Sequence, residues 1–147
     1  MTYRHGMARD SKIEQLSQVR LFSAFNKKEL GLITRASDEV AFPAGKELVK
    51  QGSTGHEFFL ILEGECSVRR DGRHVATLKD GEYFGELALL DRAPRNATVV
   101  AETPVTLLVL GQREFNGVLD EVPVLAHKML TVMAHRVREA DARAASH

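Results

Sequence analysis

The sequence predicts a mainly β fold, an antiparallel β-roll or jelly roll with helices on either side. The apolar residues have a helical period up to residue 37, alternate between glycine-rich turns over residues 38–112, and become helical again from residue 113. The 147 residues, 44% hydrophobic and 27% charged, suit one globular domain. We therefore expect a flexible N-terminal arm over residues 1–11 and a single domain over residues 12–147.

Two short helices are predicted over residues 12–37. Apolar residues recur at helical spacing in the first, and Ser11 with Glu14 three residues later predicts a capping box at its start. Asn26 precedes the second helix, whose inner face carries leucine and isoleucine side chains. Neither helix is long enough to be stable alone in water, so each is expected to bury one face against the domain.

Seven short strands are predicted within the β-roll over residues 38–112. Turn signals separate them, among them Asp71-Gly72 and Asp80-Gly81, since Asp-Gly pairs supply the positive φ angles that tight hairpins need. Seven strands are enough to close a small roll. The predicted strands cover residues 39–42, 47–50, 58–62, 67–70, 74–78, 97–101 and 105–110.

The C-terminal segment, residues 113–147, is predicted to form two helices. A short helix covers residues 113–119, and Pro123 opens a longer one at a position that proline tolerates. An apolar stripe runs along this second helix, and arginines are concentrated in its C-terminal half, where the helix dipole favours positive charge.

Composition excludes several classes of protein. Twenty basic and 20 acidic residues give a formal net charge of zero, which disfavours a dedicated nucleic-acid binder. Cys66 is the single cysteine, so no intramolecular disulfide can form and a reduced, cytoplasmic compartment is expected. The longest apolar run, near residues 105–110, is far short of the ~20 residues of a membrane span, so no membrane partner is expected.

Residues 84–99 interrupt the strand pattern and carry the candidate chemistry. A one-turn helix entered from Gly85 exposes backbone N–H groups that suit an anion. Pro94 forces an extended exit and places Arg95 at the head of the next strand, where its guanidinium suits a phosphate. Glu86 would repel an anion, so it is expected to face a hydroxyl. A phosphate and a hydroxyl in one small pocket indicate a nucleotide-type ligand.

Residues 84–101 resemble the phosphate-binding cassette of the cyclic nucleotide-binding domain family. That family includes the regulatory subunits of cyclic-AMP-dependent protein kinase, bacterial catabolite activator proteins and nucleotide-gated channels. The likeness extends over about residues 12–140. Its further matches, in the family's usual order, are Leu21-Phe22 with Leu30, Phe42-Pro43-Ala44-Gly45, Gln51-Gly52, Phe58-Phe59-Leu60-Ile61 and Glu63-Gly64-Glu65.

The resemblance implies a role for each residue of the cassette. Arg95 resembles the arginine that pairs with the cyclic phosphate, and Glu86 resembles the glutamate that accepts a hydrogen bond from the ribose 2′-hydroxyl. Backbone groups of three further residues would line the phosphate cradle, namely Gly85, Leu87 and Ala88. No cofactor is implied beyond the ligand itself, cyclic AMP or cyclic GMP.

Four further positions complete the predicted site. The resemblance implies that the position of Asn96 is alanine in cyclic-AMP-binding kinases and threonine in cyclic-GMP-binding kinases. The Asn96 amide offers both a donor and an acceptor. Cyclic AMP is favoured as the ligand, and Asn96 leaves cyclic GMP as an open alternative. Ala97 would continue the following strand. Val68 and Leu78 lie where the family places apolar residues against the purine or ribose, and both also fit the alternating pattern of a β core.

Two functions remain in view. The first is a regulatory module that binds a cyclic nucleotide and signals to an unidentified protein partner through rearrangement of the C-terminal helices. Those helices would also suit a homodimer. The second is a degenerate roll that binds no nucleotide and serves as a scaffold. Since the chain ends at His147 without a helix-turn-helix, no DNA-binding domain is expected. The histidine spacing offers no cupin-type metal centre, and no Ser or Cys has a nearby base, so no enzymatic activity is expected.

Overall fold

Two four-stranded antiparallel sheets form the centre of the computed structural model, which describes residues 8–145. The strands are β1 (Asp38–Phe42), β2 (Glu47–Val49), β3 (Glu57–Glu63), β4 (Cys66–Arg70), β5 (Arg73–Leu78), β6 (Tyr83–Phe84), β7 (Thr98–Ala101) and β8 (Val105–Gly111). The first sheet has the order β1-β8-β3-β6 and the second the order β2-β7-β4-β5. The predicted β-roll class is therefore confirmed.

Helices flank the sheets at both ends of the chain. They are α1 (Arg9–Ser17), α2 (Lys27–Ala36), α3 (Gln112–Glu121) and α4 (Val124–Ala145), with short 3-10 turns at Arg20–Phe22 and Glu86–Leu89. As expected, Pro123 immediately precedes the long last helix. Helix α3, predicted over residues 113–119, is longer by one residue at its start and two at its end, at Gln112–Glu121.

The two N-terminal helices differ in how they begin. At α2, Asn26 Oδ1 accepts from the Glu29 N–H and Glu29 Oε1 accepts from the Asn26 N–H, both at 2.8 Å, which is a complete capping box. The capping box predicted at Ser11 is wrong. Helix α1 already begins at Arg9, and its N-cap residue, Ala8, has no side chain that can cap it. No side-chain cap is needed, because the first turn is exposed and water can satisfy its N–H groups. The first seven residues of the predicted arm lie outside the described residues.

Strand β3 is the one strand whose five central residues are all buried. Phe58, Leu60 and Leu62 point towards the helices and join a core that includes Phe22 and Phe115. The alternate residues of β3 point between the two sheets and form a second core, together with residues of β7 and β8. Because both of its faces are covered, β3 appears in the sequence as an uninterrupted apolar run.

Strand β6 has no counterpart among the seven predicted strands. It is two residues long, and it pairs with β3 through Phe84 opposite Phe59 and Tyr83 opposite Leu60. The Phe84 ring stacks on the Phe59 ring with centroids 4.7 Å apart. Two residues are too few to show a periodicity in the sequence, and the strand is recognised only from its pairing with β3.

Helix α4 contacts the remainder of the domain mainly through its first half. Leu125 and Met129 are buried in the core between helices and sheet. Lys128 Nζ donates to Glu29 Oε1 at 2.7 Å and so ties α4 to the start of α2. Within residues 8–145, no helix has the length and apolar content that a membrane crossing requires.

Candidate functional site

A cavity of about 300 Å³ lies between the segment of residues 84–97, hereafter the cassette, and the second sheet. Its wall is mixed, with apolar side chains from the sheet and polar groups from the cassette. Eight of the nine predicted site residues line it: Val68, Gly85, Glu86, Leu87, Ala88, Arg95, Asn96 and Ala97. Its other lining residues are Val49, Phe84, Asp91, Ala93, Pro94 and Val99.

Gly85 reverses the chain between β6 and the short 3-10 turn. Its φ is +80°, in the left-handed region that side chains rarely adopt. A Cβ at this position would also lie 2.5 Å from Arg95 Nη1 and 2.8 Å from the Glu57 carbonyl oxygen. Glycine is therefore required here both for the backbone conformation and for the close approach of Arg95.

The 3-10 turn Glu86–Leu89 forms one end of the cavity. Its first hydrogen bond runs from the Ala88 N–H to the Gly85 carbonyl at 3.1 Å, so the N–H groups of Glu86 and Leu87 precede the hydrogen bonds of the turn. The Glu86 side chain is half-buried and makes no hydrogen bond or ion pair with any other residue between 8 and 145. Leu89 is fully buried in the core beneath and anchors the turn.

Arg95 presents a nearly buried cation to the cavity, with 10% of its side chain exposed. Its Nη2 donates to the Glu57 carbonyl oxygen at 2.8 Å, and the Glu57 carboxylate lies 3.8 Å from the same nitrogen. The guanidinium carbon lies 5.8 Å from the centre of the Phe59 ring. Burial lowers the pKa of Arg95, and the negative charge of Glu57 partly offsets this shift. The guanidinium stays charged, because arginine is not deprotonated in proteins.

The backbone of Arg95 is fixed by the loop between β2 and β3. Its N–H donates to the Ser53 carbonyl at 2.7 Å and its carbonyl accepts from the Gly52 N–H at 2.8 Å. Gly55 has no room for a side chain, since a Cβ there would lie 2.5 Å from Arg95 Nε. Arg95 was predicted at the head of the next strand, but it lies in the extended segment before β7, which begins at Thr98.

The remaining predicted residues divide between cavity and core. Val68 lines the cavity and also packs on the core between the sheets. Leu78 is half-buried against that same core and is not among the residues that line the cavity. Asn96 is exposed at the cavity, with its carbonyl accepting from Arg70 Nε at 3.0 Å. Ala97 is buried directly before β7.

Several contributors to the site were missed by the sequence reasoning. Glu57 anchors Arg95 from 38 residues away, and Val49 lines the cavity from β2. Gly52 was noted in the sequence within the Gln51-Gly52 match, and Gly55 was given no role in the site, although both lie against Arg95 in the structure. Between residues 8 and 145, no three His, Cys, Asp or Glu side chains are grouped closely enough to hold a metal ion.

Comparison with known proteins identifies relatives of this chain. Residues 39–122 match the family model described as "Cyclic nucleotide-binding domain". The chain is 40% identical over 109 residues to the cAMP-dependent protein kinase regulatory subunit of Emericella nidulans, which covers 73% of this chain and 26% of that protein. It is 32% identical over 126 residues to the Cyclic AMP receptor protein of Thermus thermophilus, covering 82% of this chain and 58% of that protein.

A solved structure has the same fold over most of the chain. It is the N-terminal domain of a transcriptional regulator from Streptomyces coelicolor A3(2), with a TM-score of 0.81 and 30% identity, covering 88% of this chain and 93% of that one. The chain spans about a quarter of the kinase subunit and just over half of the receptor protein. The family match covers more than half of the chain and includes the whole cassette. The chain belongs to the cyclic nucleotide-binding domain family.

Proposed function

We propose that this domain binds cyclic AMP in the cavity beneath the cassette and acts as a regulatory sensor rather than an enzyme. The observation that carries the proposal is Arg95. Its guanidinium is nearly buried at a cavity of about 300 Å³, and the described residues bind only Nη2 of its three nitrogens. A buried cation with unused donors calls for an anion, and a guanidinium matches a phosphate with two parallel hydrogen bonds.

The neighbouring groups suit the rest of a cyclic nucleotide. The N–H groups of Glu86 and Leu87 would add donors to the phosphate that Arg95 pairs with. The half-buried carboxylate of Glu86, which no other residue between 8 and 145 binds, would accept from the ribose 2′-hydroxyl, which is a neutral donor. A charged acceptor makes a stronger hydrogen bond than a neutral one, so this contact would discriminate a ribose from a deoxyribose.

The base would contact the apolar wall that Val49, Val68 and Val99 provide. We favour cyclic AMP because the two relatives compared above are named for it, as a cAMP-dependent protein kinase regulatory subunit and a Cyclic AMP receptor protein. Asn96 leaves cyclic GMP as the alternative, since its amide can donate to or accept from either purine.

The response to the ligand would involve the C-terminal helices. Leu89, in the cassette turn, shares one core with Leu125 and Met129 of α4, so ordering of the turn would alter the support of that helix. We propose that this change is passed to a downstream protein partner.

Two further features concern assembly and compartment. Leu130 and Val137 are exposed seven residues apart on α4 and would contact a second copy in a homodimer. The single cysteine, Cys66, is a free thiol, which suits the reduced cytoplasm.

Calorimetric titration with cyclic AMP, beside cyclic GMP, tests the proposal. We expect saturable binding of cyclic AMP to the full chain, with cyclic GMP binding more weakly. Tighter binding of cyclic GMP would replace the ligand but keep the site. If neither nucleotide binds at concentrations up to about 1 mM, the sensor proposal fails and the scaffold function takes its place.

A further inference from the structure

The first residue of α3, Gln112, reaches back to the cassette with its side chain. Its Nε2 donates to the Ala88 carbonyl at 3.1 Å and to the Asp91 carbonyl at 3.3 Å, while its Oε1 accepts from Arg92 Nε at 3.2 Å. Ala88 and Asp91 both line the cavity. The half-buried amide of Gln112 therefore makes hydrogen bonds with three residues of the cassette, Ala88, Asp91 and Arg92.

The choice of an amide side chain has a clear physical reason. The Ala88 carbonyl is partly buried near the end of the 3-10 turn and has no partner within it, whereas the Asp91 carbonyl follows the turn and is exposed. A glutamine supplies two donors for these carbonyls and an acceptor for Arg92 at the same time. A side chain of similar size without polar atoms would fill the space but leave the carbonyls unpaired.

The backbone of Gln112 reaches the other half of the site. Its N–H donates to the His56 carbonyl at 2.8 Å, and the next carbonyl along the chain, that of Glu57, accepts from Arg95 Nη2. Gln112 thus bonds to the 3-10 turn through its side chain and to the segment that anchors Arg95 through its main chain.

We infer that Gln112 is a positioning residue, which aligns the cassette with Arg95 and passes changes in the cassette to α3. The inference rests on the proposed function for its ligand, but the tie itself exists without one. Helix α3 leads directly through Val122 and Pro123 into α4. A polar tie therefore runs from the cavity to the C-terminal helices, beside the apolar contact of Leu89.

Gln112→Met tests the tie, because methionine keeps the volume and removes all three side-chain hydrogen bonds. Gln18→Met is the matched control. Gln18 is exposed directly after α1, away from the cassette in sequence, and its side chain donates only a long hydrogen bond of 3.4 Å to Ser17 Oγ. In the ligand-free protein we expect the amides of Ala88, Leu90 and Asp91 to exchange about fivefold faster in Gln112→Met than in the wild type or the control.

With cyclic AMP as the probe, we expect about tenfold weaker binding by Gln112→Met and a loss of the ligand-induced protection at α3. A residue that only fills space would leave both readings unchanged, because methionine fills the same space. Wild-type exchange at the cassette would overturn the inference. If the wild type binds no cyclic nucleotide, the proposed function fails, and the ligand-free comparison still decides the tie.

Should Gln112→Met fold poorly, Gln112→Glu provides the second variant. It keeps the acceptor for Arg92 and replaces both donors with a carboxylate oxygen facing carbonyls. We expect the same faster exchange of the cassette amides. Exchange equal to the wild type in a folded Gln112→Glu protein would again overturn the inference.

Discussion

Arg95 Nη2 is held by the backbone carbonyl of Glu57 at 2.8 Å, whereas the carboxylate of the same residue lies 3.8 Å away and is 49% exposed. The guanidinium is thus positioned mainly by a neutral group. An exposed carboxylate at that distance is screened by water and neutralises little of the positive charge. The charge of Arg95 therefore remains available to an anion in the cavity.

Arg95→Ala should abolish most nucleotide binding while the domain stays folded. Truncating one partner of a buried charge pair costs about 2–5 kcal/mol, or about 30- to 5,000-fold in Kd. Calorimetry on this variant measures the loss. Arg73→Ala on the exposed strand β5 is the control and should bind like the wild type. Affinity of Arg95→Ala within threefold of wild type would remove Arg95 from the phosphate site.

Glu86 should discriminate the ribose of the ligand. We expect 2′-deoxy-cyclic AMP to bind more weakly than cyclic AMP to the wild type, because the Glu86 carboxylate then lacks its hydroxyl partner. In Glu86→Ala the difference between the two ligands should largely disappear. This double cycle isolates the contact between one side chain and one hydroxyl. A deoxy penalty that persists in the variant would assign the hydroxyl to another group.

Gly55→Ala should weaken binding although Gly55 itself does not line the cavity. The new methyl group would lie 2.5 Å from Arg95 Nε and 2.7 Å from its guanidinium carbon, so the side chain would have to move. We expect about ten- to a hundredfold weaker binding, equivalent to one charge-assisted hydrogen bond. Gly117→Ala, on α3 where the added methyl meets nothing within 4 Å, is the matched control. Equal affinities for both variants would contradict the tight fit.

The ion pair between Glu29 and Lys128 should make stability depend on pH. Burial raises the pKa of Glu29, but hydrogen bonds from Lys128 and the Asn26 N–H outweigh it and hold the pKa below its usual 4.5. A lowered pKa stabilises the fold above pH 4.5, and that contribution is lost as the pH falls through the folded value.

Lys128→Met should accordingly cost about 1–3 kcal/mol of unfolding free energy at pH 7 and less at a pH below 4.5 that is low enough to protonate Glu29 in the folded protein. Urea unfolding at the two pH values measures both quantities. Lys28→Met, at an exposed position of α2, should change the free energy little at either pH. A cost for Lys128→Met that is the same at both pH values would show that packing, not charge, joins α4 to α2.

The C-terminal helices should respond to the ligand. Amide hydrogen exchange with and without cyclic AMP should show changed protection at residues 84–98 and also within α3 and α4, because Leu89 shares one core with Leu125 and Met129. A ligand shifts such an equilibrium only by its differential affinity for the two arrangements, so a partial change is sufficient. Protection confined to residues 84–98 would leave a binding domain without a switch.

The sequence alone determined the class of fold and the local form of the cassette. Gly85 at φ +80° and the hairpin turn at Asp71-Gly72, with φ of +54° and +79°, follow from preferences that act over a few residues. Local spacing also placed Arg95 near the turn, although not at the head of the next strand, where it was predicted.

Only the tertiary structure decided which distant groups complete the site. Val68 on β4 and Leu78 on β5 are both apolar residues of one hairpin, and both fit the same alternating pattern in the sequence. In the structure, however, Val68 pairs with Val99 and lines the cavity, whereas Leu78 pairs with Cys66 and packs on the core. That difference depends on the register between strands, which is set by the packing of whole sheets. The anchors of Arg95 and of the cassette, Glu57 and Gln112, likewise depend on contacts between segments remote in sequence, and no local preference encodes those contacts.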